Sequence, residues 1–435
     1  VSSKDQFYHA YSENFKGAPD GWHKLKKVNF LIGENSTGKS SFQQLFRIVS
    51  SSSFTFSFDP LNVIPSISSA ADIVGRISDG VGVTIGFAAS PGREADTPSE
   101  FFGRIITYLD IDGELSIAGI TFASKECVFT IIRDKNSKLR YFHFDEIHVG
   151  DLITNPDILS KIHIESLYSE TGIEIEFEEM SFQPDDWRVA AVVVAGKIIN
   201  SPSFNPIVAP QIFRAYSYGP SRRAPQRLLH GGQSRFNSFG EHAPFVLKDV
   251  VQYIPELQDK LSSYGVASGL FDFISIEEVK TKVADRPFII TLGKSGKHFY
   301  IDELGYGVSQ ILPVVIDSLV AGPEQTLFIQ QPELHLHPRA QAEFGSLIHK
   351  NSHQAPDLVI ETHSDFIIDR FRVEQALAED DKKVDAQVLF FSIDKLSGRN
   401  VLKTMTIEAD GSFSEVPDEY REFFIDENMK ILEAL

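Results

Sequence analysis

The sequence predicts an α/β protein built on a mixed, mostly parallel sheet with a β-rich region inserted into it, and three observations lead there. Phe30-Leu-Ile-Gly-Glu-Asn-Ser-Thr-Gly-Lys-Ser-Ser41 fits the phosphate-loop pattern G-x-x-x-x-G-K-[ST] at Gly33, Gly38, Lys39 and Ser40, between a strand-like apolar run and a helical run. From Leu304 onward helix-like and strand-like runs alternate, which implies parallel strands covered by helices. Between these ends, short alternating runs bounded by Asp-Gly, Gly and Asn have the pattern of antiparallel strands. The first and last parts would then share one sheet.

Residues 1–80 are expected to form the first half of the core. Gly17–Gly21 reads as a turn, Val28–Ile32 as a buried parallel strand, Ser40–Val49 as a helix and Phe54–Pro60 as a loop. Residues 81–200 are the β-rich insertion, with strands over Val81–Phe87, Phe102–Ile111, Glu114–Phe122, Cys127–Arg133, Leu139–Phe144 and Ile173–Phe182, and Asn155–Glu170 as the main helix. Residues 201–300 are a connector: a Pro/Ser-rich loop at Ser201–Pro210, a helical stretch at Glu241–Tyr264, then strands at Ile274–Lys282 and Phe288–Leu292. Residues 301–435 complete the core, with helices at Ser309–Leu319, Pro338–Lys350 and Ser364–Leu377 between strands at Thr326–Ile329, Leu358–Glu361 and Val388–Ile393, then a hairpin at Val401–Ser414 and a terminal helix.

Composition narrows the function classes. The chain has 42% hydrophobic residues but no run of 18 apolar residues and no secretory leader pattern, so a cytoplasmic protein without a membrane partner is expected. Its 41 basic and 60 acidic residues give a net charge of −19, which opposes broad wrapping by nucleic acid and leaves DNA only a local basic groove. The single cysteine, Cys127, forms no intramolecular disulfide and reads as a small buried hydrophobe.

The phosphate loop implies ATP and Mg²⁺. Gly33 and Gly38 allow backbone N–H groups to turn toward phosphate at a helix start, with Glu34, Asn35, Ser36 and Thr37 forming the turn and Ser41 following it. Lys39 is suited to the β- and γ-phosphates, and the Ser40 hydroxyl to Mg²⁺. Downstream, Thr326–Ile329 leads into Gln330-Gln331-Pro332-Glu333, where a phosphate-loop enzyme carries its Mg²⁺ ligand and its water-activating group. Val359-Ile-Glu-Thr-His363 ends a further strand in a histidine suited to sensing the γ-phosphate or orienting water. Gly305, Gly307, Ser309 and Gln310 mark a helix start suited to capping nucleotide held by another subunit.

Two other groups have competing readings. His335 and His337 read as a structural turn, since no third ligand stands at a diagnostic spacing. Arg214, Arg222, Arg223 and Arg227 are a basic exception in an acidic chain, suited either to phosphate, nucleic acid or a partner's nucleotide, or to pairing with surplus carboxylates.

Taken together, these segments resemble the ABC-type ATPases of the structural-maintenance-of-chromosomes and OLD group, the AAA family ATPases of bacterial defence islands. Gly33–Ser40 matches Walker A, Gly305–Pro313 the signature, Gln330–Pro338 Walker B with the D-loop, and Glu361–Ser364 the H-loop. Tyr218-Gly-Pro-Ser-Arg222, Glu408-Ala-Asp-Gly411, Pro417 and Phe423-Phe424 also look like this subgroup. The match covers both ends of the chain well and the β-rich middle poorly.

The resemblance implies an ATP-sandwiched homodimer or higher oligomer acting as a nucleotide-dependent switch, with a separate nuclease effector and a viral trigger, as in the PARIS and Septu antiphage ATPases. A DNA-repair ATPase is the alternative, disfavoured by the charge and by the lack of sustained heptads. An intrinsic nuclease is disfavoured because about 47 residues follow Val388, few for a further nuclease domain. Gln330 departs from the pattern, which carries an acid there. The amide neither ligates Mg²⁺ as an anion nor accepts a proton, so ATP binding with slow hydrolysis is expected, whether Gln330 is a natural loss or an engineered change.

Overall fold

The computed structural model describes residues 7–61, 63–64, 67–74, 82–90, 102–124, 126–175, 186–199, 214–224, 226–230, 235–279, 287–353, 355–420 and 429–430. The expected loop at Ser201–Pro210, the end of the expected strand Ile173–Phe182, Phe423-Phe424 and most of the expected terminal helix lie outside the described residues.

In chain order the elements begin with β1 (Phe7–Glu13), β2 (Gly21–Lys24), β3 (Val28–Gly33) and α1 (Lys39–Val49). There follow β4 (Val83–Ser90), β5 (Phe102–Ile111), β6 (Glu114–Ser124), β7 (Val128–Arg133), β8 (Leu139–His143), α2 (Val149–Thr154), α3 (Asp157–Leu167), β9 (Ile173–Glu174) and α4 (Trp187–Ile199). The next group is β10 (Arg214–Tyr218), β11 (Leu228–Leu229), α5 (Ala243–Tyr253), α6 (Pro255–Ser268), β12 (Phe273–Glu278), β13 (Phe288–Lys294) and β14 (Lys297–Tyr300). The last is α7 (Tyr306–Val320), β15 (Gln325–Gln330), α8 (Pro338–Asn351), β16 (Asp357–Glu361), α9 (Asp365–Leu377), β17 (Ala386–Ile393) and β18 (Asn400–Ile407).

These elements form two compact units, one of Val1–Leu25, Asn35–Arg214 and Ile393–Val401, the other of Lys26–Glu34, Ala215–Ser392 and Leu402–Leu435. The first is organised by an antiparallel sheet in the order β2-β1-β4-β5-β6-β7-β8-β9. The N-terminal strand β1 lies one in from the β2 edge and pairs with β4 from Phe7 opposite Ser90 to Glu13 opposite Thr84. Helix α1 packs on β1 and β4, and α3 on β5, β6 and β7. Two helical segments lack a strong sequence signal. Ser53–Ser57 is one turn of π-helix in place of a loop, and α4 follows the β-rich stretch. α4 is apolar nearly all round, so its run of Val and Ala resembles a strand as much as a helix.

The second unit carries the sheet β10-β15-β16-β3-β17-β18, whose strands β15, β16, β3 and β17 are mutually parallel. Strand β3, from the start of the chain, lies between two strands from its last third, as the alternating pattern predicts. Val28 and Phe30 are fully buried, and Phe30 meets Phe371 of α9 edge to face at 5.3 Å. Truncating either ring to Ala would cost about 3–5 kcal/mol. The buried polar residue of β3, Asn29, is fully engaged. Its Nδ2 donates to the carbonyls of Lys26 (2.7 Å) and Leu358 (3.0 Å), and its Oδ1 accepts from Lys26 N and Gln387 Nε2, both at 2.8 Å. It thereby pins β3 to both neighbours at a cost that its partners offset. A smaller antiparallel group, β11-β13-β12 with β14 on β13, contacts α5 and α6 in the same unit.

Candidate nucleotide site at the edge of the parallel sheet

Parallel pairing brings three strand ends to one edge of the second unit. Gln330 lies beside Glu361, and Glu361 beside Leu31, two residues before Gly33. In open α/β sheets this C-terminal edge is where ligands bind. Gln330 Nε2 donates to Glu361 Oε2 at 3.4 Å. Gln331 turns the chain with φ 45°, and its N–H donates to the Glu361 carbonyl at 2.7 Å. Glu333 then closes the turn, accepting from Thr362 Oγ1 (2.8 Å) and from the His363 backbone N–H (2.7 Å) with its two oxygens. The His363 imidazole remains exposed, while Ser364 caps α9 by accepting from Ile367 N at 3.3 Å. His337 likewise caps α8, accepting from Arg339 N at 3.2 Å, which accounts for it as a turn residue. Among the described residues no cluster of three His, Cys, Asp or Glu could hold a metal.

A second connection reaches this edge from the signature helix. Gln310 of α7 accepts from Arg222 N and donates to Arg222 O, both at 2.8 Å, so its amide pairs with the backbone as a strand neighbour would. Arg222 Nη2 in turn donates to the Gln330 carbonyl at 2.9 Å. The side chain of Arg222 stands 5.7 Å from the Tyr218 ring centre, the residue is 3% exposed, and its Nε and Nη1 have no hydrogen-bond partner. Burial pulls its pKa down to about 10, against the opposing influence of Tyr218 and Glu333, so it stays charged at neutral pH. Tyr218 is anchored below by Asp317, which accepts from its hydroxyl at 2.6 Å and from His242 Nε2 at 2.9 Å. The donor at Nε2 is assigned because His242 Nδ1 accepts from Asn237 N at 3.1 Å.

The four arginines therefore divide. Arg223 pairs with Glu241, and Arg227 pairs with Asp302 (3.2 Å) and Glu303 (2.8 Å) over the Tyr300 ring, the carboxylate-pairing outcome. Arg214 is exposed at the start of β10, and Arg222 alone of the four is buried. Sequence reasoning noticed Arg222 but missed its link to Gln310, because 88 residues separate them and pairing of a side chain with a backbone leaves no periodic signal.

At the start of α7 the expected capping residues face different ways. Gly305 and Tyr306 are exposed, and Tyr306 meets His335 edge-on at 5.0 Å. Gly307 is buried so closely that a Cβ there would stand 2.5 Å from the His335 carbonyl. Ser309 donates its hydroxyl to Tyr306 O at 2.8 Å, and the Gln310 amide turns inward to Arg222.

The phosphate loop leaves β3 at Gly33 and enters α1 at Lys39. Gly33 has φ 138°, and a Cβ there would lie 2.1 Å from the Phe391 carbonyl of its own unit. Gly38 has φ 98°, and a Cβ there would lie 1.9 Å from the Gly17 carbonyl. Both positions exclude a side chain, because neighbouring backbone approaches them closely and their φ is positive. Glu34, Asn35, Ser36 and Ser40 are exposed, Thr37 and Lys39 are buried, and Ser41 Oγ accepts from Gly17 N at 3.4 Å. These donors fit a nucleotide-borne Mg²⁺, which takes one or two protein oxygens and completes its shell with phosphate and water. Ser40, exposed at the start of α1, offers one such oxygen.

Residues 200–369 match the family described as "AAA domain, putative AbiEii toxin, Type IV TA system". No curated protein matches the chain. Among solved structures it is similar to the Smc head domain with an extended coiled coil bound to the C-terminal domain of ScpA, derived from Pyrococcus furiosus, at 11% identity over 99% of each chain and a TM-score of 0.42. It is also similar to the SmcHead bound to the C-winged helix domain of ScpA, at 11% identity over 92% of this chain and 97% of that one (TM-score 0.39). A third similar structure is the SMC head domain from Thermotoga maritima, at 10% identity with the same coverages (TM-score 0.34). The parallel sheet with its phosphate loop is a P-loop nucleoside-triphosphatase fold, and the AAA-domain match covers its strands β10, β15 and β16.

Proposed function

We propose that this chain binds ATP with Mg²⁺ and uses the nucleotide to assemble copies of itself. The observation that carries the proposal is the shared strand edge, where β3, which leads into the phosphate loop, ends beside Glu361 of β16 and Glu361 beside Gln330 of β15. Backbone N–H groups of Gly33–Gly38 cradle the phosphates, Lys39 neutralises the β- and γ-phosphates, and Ser40 contributes a Mg²⁺ ligand. Gln331 and His363 orient water near the γ-phosphate. Gly305, Gly307 and Ser309 mark the helix start that caps the nucleotide of a second copy, a role favoured by the exposure of Gly305, while Gly307 and Ser309 are buried. Gln310 acts through Arg222 instead of touching nucleotide, since both ends of its amide are already engaged.

Gln330 makes hydrolysis slow, because an amide cannot take the proton of an attacking water. ATP thus shifts assembly by mass action and is held there. The resemblance to antiphage ATPases supports a finer reading. In it the assembled state controls a separate nuclease effector and responds to a viral trigger protein, in the manner of PARIS or Septu subunits.

Titration with a fluorescent ATP analogue tests the core of the proposal. Saturable Mg²⁺-ATP binding is expected, weakened on the order of 100-fold or more by Lys39→Ala, which removes the charge on the phosphates. Equal binding by the variant would overturn the assignment.

A further inference from the structure

The second unit contains a cavity of about 470 Å³ walled by α5, β13 and α7, a size within the range of sites for small organic ligands. Its floor is apolar: Leu247 of α5, Ile290 of β13, and Leu312 and Ile316 of α7 are all buried there. Its mouth is polar and basic. The exposed residues Arg223, His230 and Arg235 line it, and Glu241 is the single acid among the lining residues. Glu241 is already paired with Arg223, which leaves Arg235 unopposed. Among the described residues Arg235 enters no ion pair. In a chain with a net charge of −19, this surplus cation at the lip of an apolar hollow is a local exception.

The walls stand ready without a ligand. His242 lines the cavity with both ring nitrogens engaged, one by Asp317 at 2.9 Å and the other by Asn237 N at 3.1 Å. Pro313, also in the wall, packs so closely on Gly240 that a Cβ there would stand 2.9 Å from its ring carbons. A site fixed in this way pays little ordering entropy when it binds. Ser309 lines the cavity but Gly305 and Gly307 do not, which sets it apart from the exposed end of that helix.

We infer that this cavity is a binding site for a small amphipathic anion, an aliphatic or aromatic body carrying one carboxylate or phosphate. The body fills the apolar floor, where its removal from water supplies most of the affinity. The head stays at the mouth and accepts from the Arg235 guanidinium, with the His230 imidazole at the same opening. A purely apolar ligand would leave Arg235 unused, and a cation would meet it as a like charge. The inference does not depend on the nucleotide reading.

The probe is 8-anilinonaphthalene-1-sulfonate, an aromatic anion whose fluorescence rises in apolar surroundings, titrated into the full chain with and without competitors. Saturable binding at a single site is expected. Arg235→Gln should weaken it on the order of tenfold by removing the charged donor, and Arg235→Lys should keep most of the affinity. Ala224→Trp, at an exposed lining position, should block the cavity and abolish the saturable signal. Melting temperature should stay unchanged in all three, because both positions are exposed. Displacement of the probe by decanoate marks an aliphatic carboxylate as the class of occupant, and displacement by 1-naphthyl phosphate an aromatic phosphate; either result supports the inference. Equal probe binding by the parent, Arg235→Gln and Ala224→Trp places the dye elsewhere and overturns it. Failure of both competitors overturns it too, as does displacement by Mg²⁺-ATP, which would make the cavity part of the nucleotide site.

Discussion

The two compact units use the same polar residue types in opposite ways. In the antiparallel unit, buried polar groups form a closed row. Thr84 bonds Thr107 (2.8 Å), Thr107 bonds His163 Nε2 (2.8 Å), His163 Nδ1 bonds Thr121 (2.8 Å) and Thr121 bonds Thr130 (2.7 Å). Both imidazole nitrogens are used, and burial pushes the His163 pKa down to about 3. In the parallel unit, His363 is held by its backbone and leaves its ring exposed at a strand end, and Arg222 is buried with two nitrogens, Nε and Nη1, unmatched. A satisfied network stabilises and specifies a fold. Unspent donors and acceptors at a shared edge are what a ligand requires, and each carries a cost in stability that the fold tolerates.

Acidification should break the comparison most severely. His163, near 3, and His23, near 4, are both buried, and burial is the leading cause of each low pKa. Unfolding releases each to an ordinary pKa of about 6.5, so the unfolded chain takes up protons that the folded chain refuses. Stability is therefore complete above pH 6.5 and declines as the pH falls, down to about 4 for His23 and about 3 for His163. At pH 5 the two together cost about 4 kcal/mol. Both tryptophans, Trp22 and Trp187, lie in the antiparallel unit, so their fluorescence during an acid titration reports its loss. No transition above pH 4 would contradict the closed-row account.

Next in size, Gln330→Glu should raise ATP turnover on the order of 100-fold by restoring an acid at the strand end, measured as phosphate release under saturating ATP. A chain that already hydrolyses ATP quickly with Gln330 in place would contradict the role assigned to that residue. Smaller again, Thr107→Val keeps the volume of the side chain but leaves His163 and Thr84 each short of a partner. It should cost about 1–3 kcal/mol in denaturant unfolding and leave ATP affinity unchanged. The mildest change, Arg222→Lys, keeps the charge but loses the planar fork that reaches the Gln330 carbonyl. In the Gln330→Glu background it should slow turnover on the order of 10-fold with little change in melting temperature. A loss of stability without a loss of rate would move Arg222 into the purely structural class.

Sequence reading succeeded where chemistry is local. The phosphate-loop glycines, the strand ends at Gln330 and Glu361 and the helix that begins at Ser364 are all marked by short patterns, because each geometry needs particular residues at adjacent positions. It stopped where partners are distant or where a run satisfies two periods. Pairing of β1 with β4 joins residues more than 70 positions apart, and the clamp of Gln310 on Arg222 joins a side chain to a backbone across 88. The apolar residues of α4 run nearly all round the helix, which erases the 3.6-residue signal that would separate a helix from a buried strand. Glu361 was legible only as part of a histidine-bearing strand end, since its meaning comes from register with Gln330.

The central claim, that nucleotide binds the phosphate loop and assembles copies of the chain, is tested most directly by native mass spectrometry of the purified protein with and without Mg²⁺-ATP. The account predicts that ATP converts the chain to a dimer or a larger even-numbered assembly carrying one ATP per copy, and that Lys39→Ala stays nucleotide-free at the same concentration. A parent chain that remains free of nucleotide at saturating Mg²⁺-ATP, or one whose assembly is the same with and without it, would contradict the claim.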